Sequence, residues 1–351
     1  MKEVKIGLIG LGFMGSTHWR IYEALENVRV VALADVDPAK RAGDVSKVVG
    51  NIGGGDNSAP LNMTGVATYE DAFEMINATD ADIIDICVPT PDHSKYVLAA
   101  LKAGKHVFCE KPLCRNLEQL AEVRAALKNS DRFFNAGMCV RAWPEYDTAK
   151  NIITSGAVGE VKSALFRRLS PSVDGNAWKN WFMIDEMAGG AALDLHLHDT
   201  DFVCHLFGRP KAVSSFGVRG VVSDNGIDHI MTIYNYGDGK LITAEGGWCA
   251  PNTVPFEMSF QIVCEKATIK YGADGSFKVF WNDGKIDTPD TGDASLPTGW
   301  HRELKYFTDC VRDNVQPDRW QTPESIFDAV QVVMTEIDAA DKGETLEVKY
   351  V

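Results

Sequence analysis

Three glycines near the start of the chain have the spacing of a site that binds phosphate groups. An apolar run over residues 4–9 meets Gly10, Gly12 and Gly15, and the pattern of a helix begins directly after them. In such a turn the first glycine permits a tight bend, the second lets the backbone approach a pyrophosphate, and the third lets the helix pack closely on the strand. Because the N-terminus of a helix attracts negative charge, this G-x-G-x-x-G spacing predicts a dinucleotide site.

A carboxylate after the next apolar run indicates which dinucleotide binds. Residues 28–34 have the composition of a strand, and Asp35 follows twenty positions after Gly15. A carboxylate there accepts hydrogen bonds from the ribose hydroxyls and repels a 2′-phosphate, and Asp37 adds negative charge. The sequence therefore predicts NAD as the cofactor rather than NADP. The alternative interpretation of Asp35 is a solvated loop acid or a helix cap, which the preceding strand makes weaker.

A second group of residues with chemical potential lies near the middle of the chain. Asp194, His198 and Asp201 are four and three positions apart, so one helix face would carry all three. An acid one turn from a histidine can orient the ring and stabilise its cation, which suits a proton-accepting histidine. A surface ion pair or a buried structural histidine has the same spacing, and the pair alone favours that interpretation. His196 and Asp199 add further possible ligands, but without an H-E-x-x-H arrangement no metal is predicted.

The elements around these residues predict how they are positioned. Residues 1–137 alternate strand and helix, which is typical of a doubly wound parallel sheet, the Rossmann fold. Ligands bind at the carboxyl ends of such strands, and one strand delivers Lys111, whose ammonium could polarise a substrate hydroxyl near a nicotinamide. The residues predicted to bind the cofactor are Gly10, Gly12, Phe13, Met14, Gly15, Asp35, Pro89, Thr90, His93, Glu110 and Lys111.

The hydrophobic period changes after about residue 160. Strand composition with intervening turn signals occurs over residues 161–168, 212–222, 229–236, 241–247, 256–264, 267–271 and 277–281. Residues 138–351 are therefore expected to form an α+β domain for substrate binding and oligomerisation, built on a large, mostly antiparallel open sheet. One face of such a sheet needs to be covered, and association with another subunit commonly covers it. Helix 323–340 carries an apolar stripe and is expected to pack against another element, for which the first domain is a candidate.

Composition and charge exclude several classes of function. The length of 351 residues suggests two domains, and the formal net charge of −14 argues against a nucleic acid or an acidic membrane surface as partner. Neither a signal peptide nor an apolar run of membrane-spanning length is visible, so a cytoplasmic location is expected. The eight cysteines are scattered without a C-x-x-C pair, which favours buried thiols over disulfides or a zinc site.

Motifs along almost the whole chain resemble those of the Gfo/Idh/MocA oxidoreductases, the glucose-fructose oxidoreductase and inositol dehydrogenase family. They are the glycine triplet, Thr90-Pro91-Asp92-His93, residues 101–107 leading to Glu110-Lys111-Pro112, and Gly189-Gly190 before Asp194-x-x-x-His198. The resemblance implies that Lys111, Asp194 and His198 form the catalytic group. It also implies a Rossmann domain followed by a domain whose open sheet mediates homodimers or homotetramers. His196 stands where many members carry glycine, and its ring could contact substrate or point into the protein.

Residues and resemblance together predict an NAD-dependent dehydrogenase that acts on a secondary alcohol of a sugar, a sugar derivative or a cyclic polyol. Candidate substrate contacts are Trp178, Trp181, His196 and His301, for which core packing is at least as good an interpretation. Three alternatives remain: a reductase of a keto sugar or nucleotide-linked sugar, NAD-dependent cleavage of a glycoside, and a catalytically silent NAD-binding regulator. The direction of the reaction cannot be read from the residues.

Overall fold

A computed structural model of the chain describes residues 2–50, 59–175 and 178–350, and these form two compact units. Unit 1 comprises residues 2–138, 178–181 and 300–324, and unit 2 comprises residues 139–175, 182–299 and 325–350. The sequence also predicts a surface loop over residues 50–58, of which 51–58 lie outside the described residues.

Unit 1 is built on a parallel sheet. Its six strands are β1 (Val4–Ile9), β2 (Val28–Ala34), β3 (Ala67–Tyr69), β4 (Ile83–Ile86), β5 (His106–Cys109) and β6 (Phe134–Ala136). Their order across the sheet is β3-β2-β1-β4-β5-β6, and every neighbouring pair is parallel. The order reverses between β1 and β4, which is the switch point at which doubly wound folds bind ligands. The predicted Rossmann sheet is confirmed.

α-Helices, among them those predicted after the glycine turn and over residues 323–340, accompany the strands of both units. They are α1 (Phe13–Ala24), α2 (Pro38–Arg41), α3 (Ala72–Ala78), α4 (His93–Lys102), α5 (Leu117–Lys128), α6 (Pro144–Thr154), α7 (Asp185–Ala188), α8 (Leu197–Phe207), α9 (Gly299–Asp313) and α10 (Pro323–Lys342). Side chains of Asp71 and Asn116 cap α3 and α5 by accepting N–H groups of the first turn.

The C-terminal region divides between the two units. Leu304, Phe307 and Val311 of α9 join the apolar core of unit 1, together with Phe108 of β5. Helix α10 from Ser325 onward belongs to unit 2. Residues 300–324 thus belong to unit 1, and that the helix predicted over 323–340 packs on the first domain stays a prediction. Both helices are amphipathic, and an apolar stripe does not specify which core it joins.

Unit 2 is built on a nine-stranded sheet. Its strands are β7 (Val161–Pro171), β8 (Ala212–Arg219), β9 (Ile227–Asn235), β10 (Leu241–Ala250), β11 (Glu257–Cys264), β12 (Ala267–Tyr271), β13 (Phe277–Trp281), β14 (Ile286–Asp287) and β15 (Leu346–Glu347). The order is β14-β13-β12-β11-β7-β10-β9-β8-β15, and of these neighbours only β7 and β10 run parallel. The mostly antiparallel open sheet is confirmed. The two-residue strands β14 and β15 are too short to give a sequence pattern.

The two faces of this sheet differ in burial. On one face Phe166 and Tyr234 are buried, and they contact Phe202 and Thr200 of α8. The opposite face carries exposed apolar side chains from four strands that are neighbours in the sheet, and these are Leu165, Phe216, Met231, Ile233 and Leu241. We call these five residues the exposed apolar face.

Two further findings bear on the expected class of protein. All eight cysteines lie in the described part of the chain as free thiols, and six of them are buried. No helix among the described residues has the length and apolar character needed to cross a bilayer.

Candidate active site

The glycine turn of unit 1 has the geometry that a pyrophosphate needs. Gly10 has φ +88°, and a Cβ there would lie 2.6 Å from the carbonyl oxygen of Cys87. A Cβ on Gly15 would overlap the carbonyl oxygen of Gly10, whereas one on Gly12 would meet no described atom within 4 Å. The turn is therefore tight at Gly10 and Gly15 and open at Gly12, where the cofactor is expected.

Helix α1 begins directly after this turn. Gly12 is its N-cap and offers no side chain, and the first turn from Phe13 contains no acidic residue. The helix dipole therefore favours an anion at this end, near the N–H groups of Phe13 and Met14. These residues fit the phosphates of a dinucleotide.

Asp35 lies at the end of β2 and is fixed by backbone contacts. Its Oδ2 accepts the N–H of Leu11 at 2.7 Å, and its Oδ1 accepts the N–H of Asp37 at 2.8 Å. Each carboxylate oxygen keeps a second lone pair, so the group can also accept ribose hydroxyls. The structure thus holds this carboxylate beside the glycine turn. Binding of the ribose by Asp35 stays a prediction.

The turn after β4 brings Pro89 and Thr90 to the same edge of the sheet. Thr90 is 1% exposed, and its hydroxyl oxygen has no hydrogen-bond partner among the described residues. Buried hydroxyls are normally hydrogen-bonded, so an orphaned one beside the switch point fits a site that receives a ligand. This observation supports the predicted cofactor contact of Thr90.

His93 contributes to the architecture of this edge. Its Nδ1 lies 2.6 Å from the carbonyl oxygen of Pro112, and its Nε2 lies 2.7 Å from that of Val88. Burial lowers the pKa of His93, which two carbonyl acceptors oppose. The ring therefore ties the turn after β4 to the turn after β5, and its described contacts are structural.

Lys111 follows β5, one strand beyond the switch point. The Lys111–Pro112 peptide bond is cis. The Lys111 N–H donates to Oε2 of Glu110 at 3.1 Å, and Glu110 is 5% exposed. The carboxylate of Glu110 is turned into the protein, so a direct cofactor contact of this residue stays a prediction.

Asp194 and His198 belong to unit 2. The predicted helix is present, but its first turn over Ala192–His196 is a π-helix, and α8 follows from Leu197. Such turns are frequent at functional sites. Gly190 has φ +66°, and a Cβ there would lie 2.6 Å from the backbone nitrogen of Ile227. Asp194 is 8% exposed and His198 is half-buried. That Asp194 orients His198 stays a prediction.

Buried ion pairs fix α8 in place. Arg168 of β7 donates to Asp199 at 2.8 Å, and Arg141 donates to Asp201, also at 2.8 Å. The two arginines satisfy the carboxylates that the sequence grouped as possible metal ligands. Asp201 therefore anchors the helix.

His196 lies in the interior of unit 2. Its side chain is fully buried, and its Nε2 lies 3.1 Å from Oε2 of Glu336 in α10. A Cβ on Gly246 would lie 2.8 Å from the Cβ of His196, so the ring packs tightly on β10. The structure favours the interpretation in which this ring points into the protein, and its predicted substrate contact is unsupported.

The remaining predicted substrate contacts belong to unit 1. Trp178 is 49% exposed, with the Lys179 ammonium 4.4 Å from its ring centroid. Trp181 and His301 are half-buried, and burial lowers the pKa of His301. Lys179 and Asn180 both have left-handed backbone angles, with φ 51° and 54°. No described contact assigns these aromatic residues to a substrate.

Sequence reasoning missed one buried cluster below the glycine turn. His18, Asp85 and Cys87 lie within 4.8 Å of one another, which among the described residues is the one group with the composition of a metal site. The His18–Asp85 separation of 2.9 Å is hydrogen-bond length, and Tyr22 donates to the same carboxylate oxygen at 3.0 Å. The contacts indicate a hydrogen-bonded network. No spacing in the sequence predicts it, because His18 and Asp85 are 67 positions apart.

Family comparisons cover most of the chain. The family model described as "Oxidoreductase family, NAD-binding Rossmann fold" matches residues 4–138, and the "GFO/IDH/MocA C-terminal domain" matches residues 146–270.

Curated relatives include enzymes of sugars and polyols. The chain is 30% identical over 226 residues to levoglucosan dehydrogenase of Pseudarthrobacter phenanthrenivorans, covering 61% of this chain and 54% of that protein. It is 32% identical over 158 residues to inositol 2-dehydrogenase/D-chiro-inositol 3-dehydrogenase of Lactiplantibacillus plantarum, covering 44% of this chain and 41% of that protein. It is 26% identical over 259 residues to 2,7-anhydro-N-acetylneuraminate hydratase of Escherichia coli, covering 70% of this chain and 62% of that protein. The matches span about half the length of these relatives.

Solved structures share the fold over their full length. Levoglucosan dehydrogenase in complex with NADH and levoglucosan superposes with a TM-score of 0.83 at 20% identity, covering 99% of this chain and 100% of that one. The myo-inositol 2-dehydrogenase from Lactobacillus plantarum gives a TM-score of 0.79 at 21% identity, with the same coverages. At these identities the likeness shows the fold.

Proposed function

Because the chain belongs to the GFO/IDH/MocA oxidoreductase family, we propose that it is an NAD-dependent dehydrogenase of a secondary alcohol in a sugar, sugar derivative or cyclic polyol. The observation that carries this proposal is the edge of the parallel sheet, where the open glycine turn, the fixed carboxylate of Asp35 and the orphaned Thr90 hydroxyl follow the carboxyl ends of β1, β2 and β4, and Lys111 follows that of β5. The curated relatives named as levoglucosan and inositol dehydrogenases support the substrate class.

The proposed mechanism assigns three roles to the chain's own residues. His198, oriented by Asp194, takes the proton of the substrate hydroxyl. Lys111 hydrogen-bonds the same oxygen and stabilises the negative charge that develops on it. NAD, which the glycine turn and Asp35 would hold, would supply the acceptor for the hydride that leaves the carbinol carbon. In the reverse direction the same residues would donate the proton to a ketone, as a keto-sugar or nucleotide-sugar reductase requires.

A screen of sugars and inositols with NAD and NADP tests this function directly. Absorbance of the reduced nicotinamide is expected to rise with NAD and at least one polyol or anhydro sugar. The E. coli relative named as a hydratase favours one alternative, a reaction without net oxidation. Product analysis separates the two, because cleavage or hydration products without accumulated NADH would support the alternative.

The cofactor assignment predicts the result of a paired substitution. Asp35→Ser with Val36→Arg is expected to raise the NADP-to-NAD ratio of kcat/KM by about 10- to 100-fold, since a charge-assisted hydrogen bond replaces a repulsive carboxylate. Val36 is 63% exposed, so an arginine fits there. Steady-state kinetics with both cofactors measures the ratio. Val36→Arg alone is the control, and an unchanged ratio in the double variant would contradict the role of Asp35.

The exposed apolar face supports a further proposal, that two copies of the chain associate through the sheet of unit 2. Phe216 and Met231 are opposite each other on β8 and β9 and are 67% and 44% exposed. Contiguous apolar surface of this kind marks association sites in soluble proteins.

The double variant Phe216→Glu with Met231→Lys tests this association. Its two opposite charges attract each other across β8 and β9, so the strand pairing should persist, and the variant is expected to yield monomers in analytical ultracentrifugation. Val315→Lys, at an exposed position in unit 1, should leave the assembly unchanged; monomers of the unaltered protein would refute the proposal.

A further inference from the structure

The buried network below the glycine turn reaches the turn that carries Lys111. His18 is fully buried on α1, and its Nδ1 lies 2.9 Å from Oδ2 of Asp85. Its Nε2 lies 3.2 Å from Oε1 of Glu110, a contact at ion-pair distance. The other oxygen of Glu110 accepts the N–H of Lys111 at 3.1 Å. One imidazole therefore connects the first helix to the backbone of Lys111 through a single carboxylate.

Charge balance indicates the protonation state of this imidazole. Two carboxylates flank the ring, one at each nitrogen, and both are almost completely buried. Two buried anions without a counter-charge are costly, whereas an imidazolium places a positive charge between them, hydrogen-bonded to Asp85 and at ion-pair distance from Glu110. Burial alone would lower the pKa of His18, but the neighbouring Asp85 carboxylate raises it, and the pKa lies well above its usual range. Burial also raises the pKa of Cys87, which remains a neutral thiol.

The protein is shaped to hold the Glu110 carboxylate in one position. Gly137 follows β6, and a Cβ there would lie 2.7 Å from Oε1 of Glu110. On the far side of the network, Tyr22 donates to Asp85 at 3.0 Å. The carboxylate thus lies between a glycine, an imidazole and the N–H of Lys111, and it has little freedom to move while His18 stays charged.

We propose that His18, as a buried imidazolium, is the positioning residue for Lys111: it fixes Glu110, and Glu110 fixes the backbone from which the lysine side chain extends. This inference rests on the proposed function of Lys111. A displacement of about 1 Å at a reacting group can cost about 100-fold in rate, so a residue that acts only through Glu110 can still control turnover.

The kinetic test compares four variants with the original protein. His18→Gln removes the cation and is expected to lower kcat by about 10- to 100-fold, with the Kd of NADH within about 3-fold of the original. His18→Gln with Glu110→Gln removes one buried anion as well, and it is expected to recover part of the loss. His106→Gln is the matched control, because this histidine lies on β5, where its Nδ1 accepts the N–H of Phe133 at 2.9 Å; its kcat should stay within about 2-fold. Lys111→Met, measured alongside, separates this inference from the proposed function.

The outcomes are distinct. A lower melting temperature with unchanged kcat in His18→Gln would show a purely structural residue and overturn the inference, even if Lys111→Met is inactive. Full activity in Lys111→Met would instead overturn the proposed function.

A spectroscopic test does not depend on turnover. In protein labelled with ¹⁵N-histidine, both ring nitrogens of His18 are expected to carry a proton at neutral pH, and the signals are assigned by their loss in His18→Gln. An unprotonated ring nitrogen would overturn the inference. Should that variant fail to fold, Glu110→Gln tests the same contact from its other end, because it is expected to release the proton on Nε2 and to lower kcat; no change in either would contradict the role of His18.

Discussion

Lys111→Met is expected to lower kcat by about two or more orders of magnitude while NADH still binds. Methionine keeps the length and the apolar stem but removes the ammonium that would stabilise charge on the substrate oxygen. The glycine turn and Asp35, which would hold the cofactor, follow β1 and β2, whereas Lys111 lies in the turn after β5. Steady-state kinetics for kcat and a fluorescence titration for the Kd of NADH measure the two quantities separately.

A matched control tests whether loss of any nearby positive charge has the same effect. Lys102 is exposed in the last turn of α4, so Lys102→Met changes the net charge equally without touching the sheet edge. This variant should turn over at close to the original rate. Near-normal turnover in Lys111→Met would show that the lysine has no part in the mechanism. The positive charge proposed to stabilise the substrate oxygen would then be missing.

His198→Asn is expected to lower kcat by about 100- to 10,000-fold, the usual range for removal of a general base. Asparagine is close in size and hydrogen-bonding capacity but cannot accept the proton. Asp199 and Asp201 keep α8 anchored to Arg168 and Arg141 in this variant, so the fold should survive. The measurement is kcat under saturating NAD and polyol, with the melting temperature as a check on folding.

His205→Asn on the same helix is the control for this substitution. Its ring lies 2.7 Å from the Lys150 ammonium, and burial lowers the pKa of His205 to about 2, so it is neutral at every working pH. Turnover of His205→Asn is expected to stay within about 2-fold. Equal losses in the two histidine variants would show a general effect on the helix, which would contradict a specific role for His198.

Much of the fold could be read from periodicity and turn chemistry. The glycine triplet has a direct steric meaning, since Gly10 and Gly15 have no room for a Cβ and Gly12 faces open space. Strand composition with intervening turn signals predicted the mostly antiparallel sheet of unit 2. The family matches confirm the NAD-binding Rossmann domain that these patterns predicted.

Contacts between distant residues could not be read in this way. The network of His18 and Glu110 joins residues 92 positions apart, and a single histidine in a helix gives no signal of its partner. Likewise, the apolar stripe of α9 indicates that one face of the helix is buried, but it does not specify that this face joins the core of unit 1. The orientation of the His196 ring could not be predicted from the sequence either. Only its contact with Glu336 shows that the ring lies in the interior of unit 2 and not against a substrate.

The central claim is that Lys111 and His198 act on one substrate hydroxyl, and the most direct measurement is a crystal structure of the complex with NADH and a polyol found in the screen. We predict that one hydroxyl oxygen of the bound polyol lies within hydrogen-bond distance of both Nζ of Lys111 and a ring nitrogen of His198. A complex in which these two side chains occupy separate cavities, or in which the glycine turn holds no dinucleotide, would contradict the account.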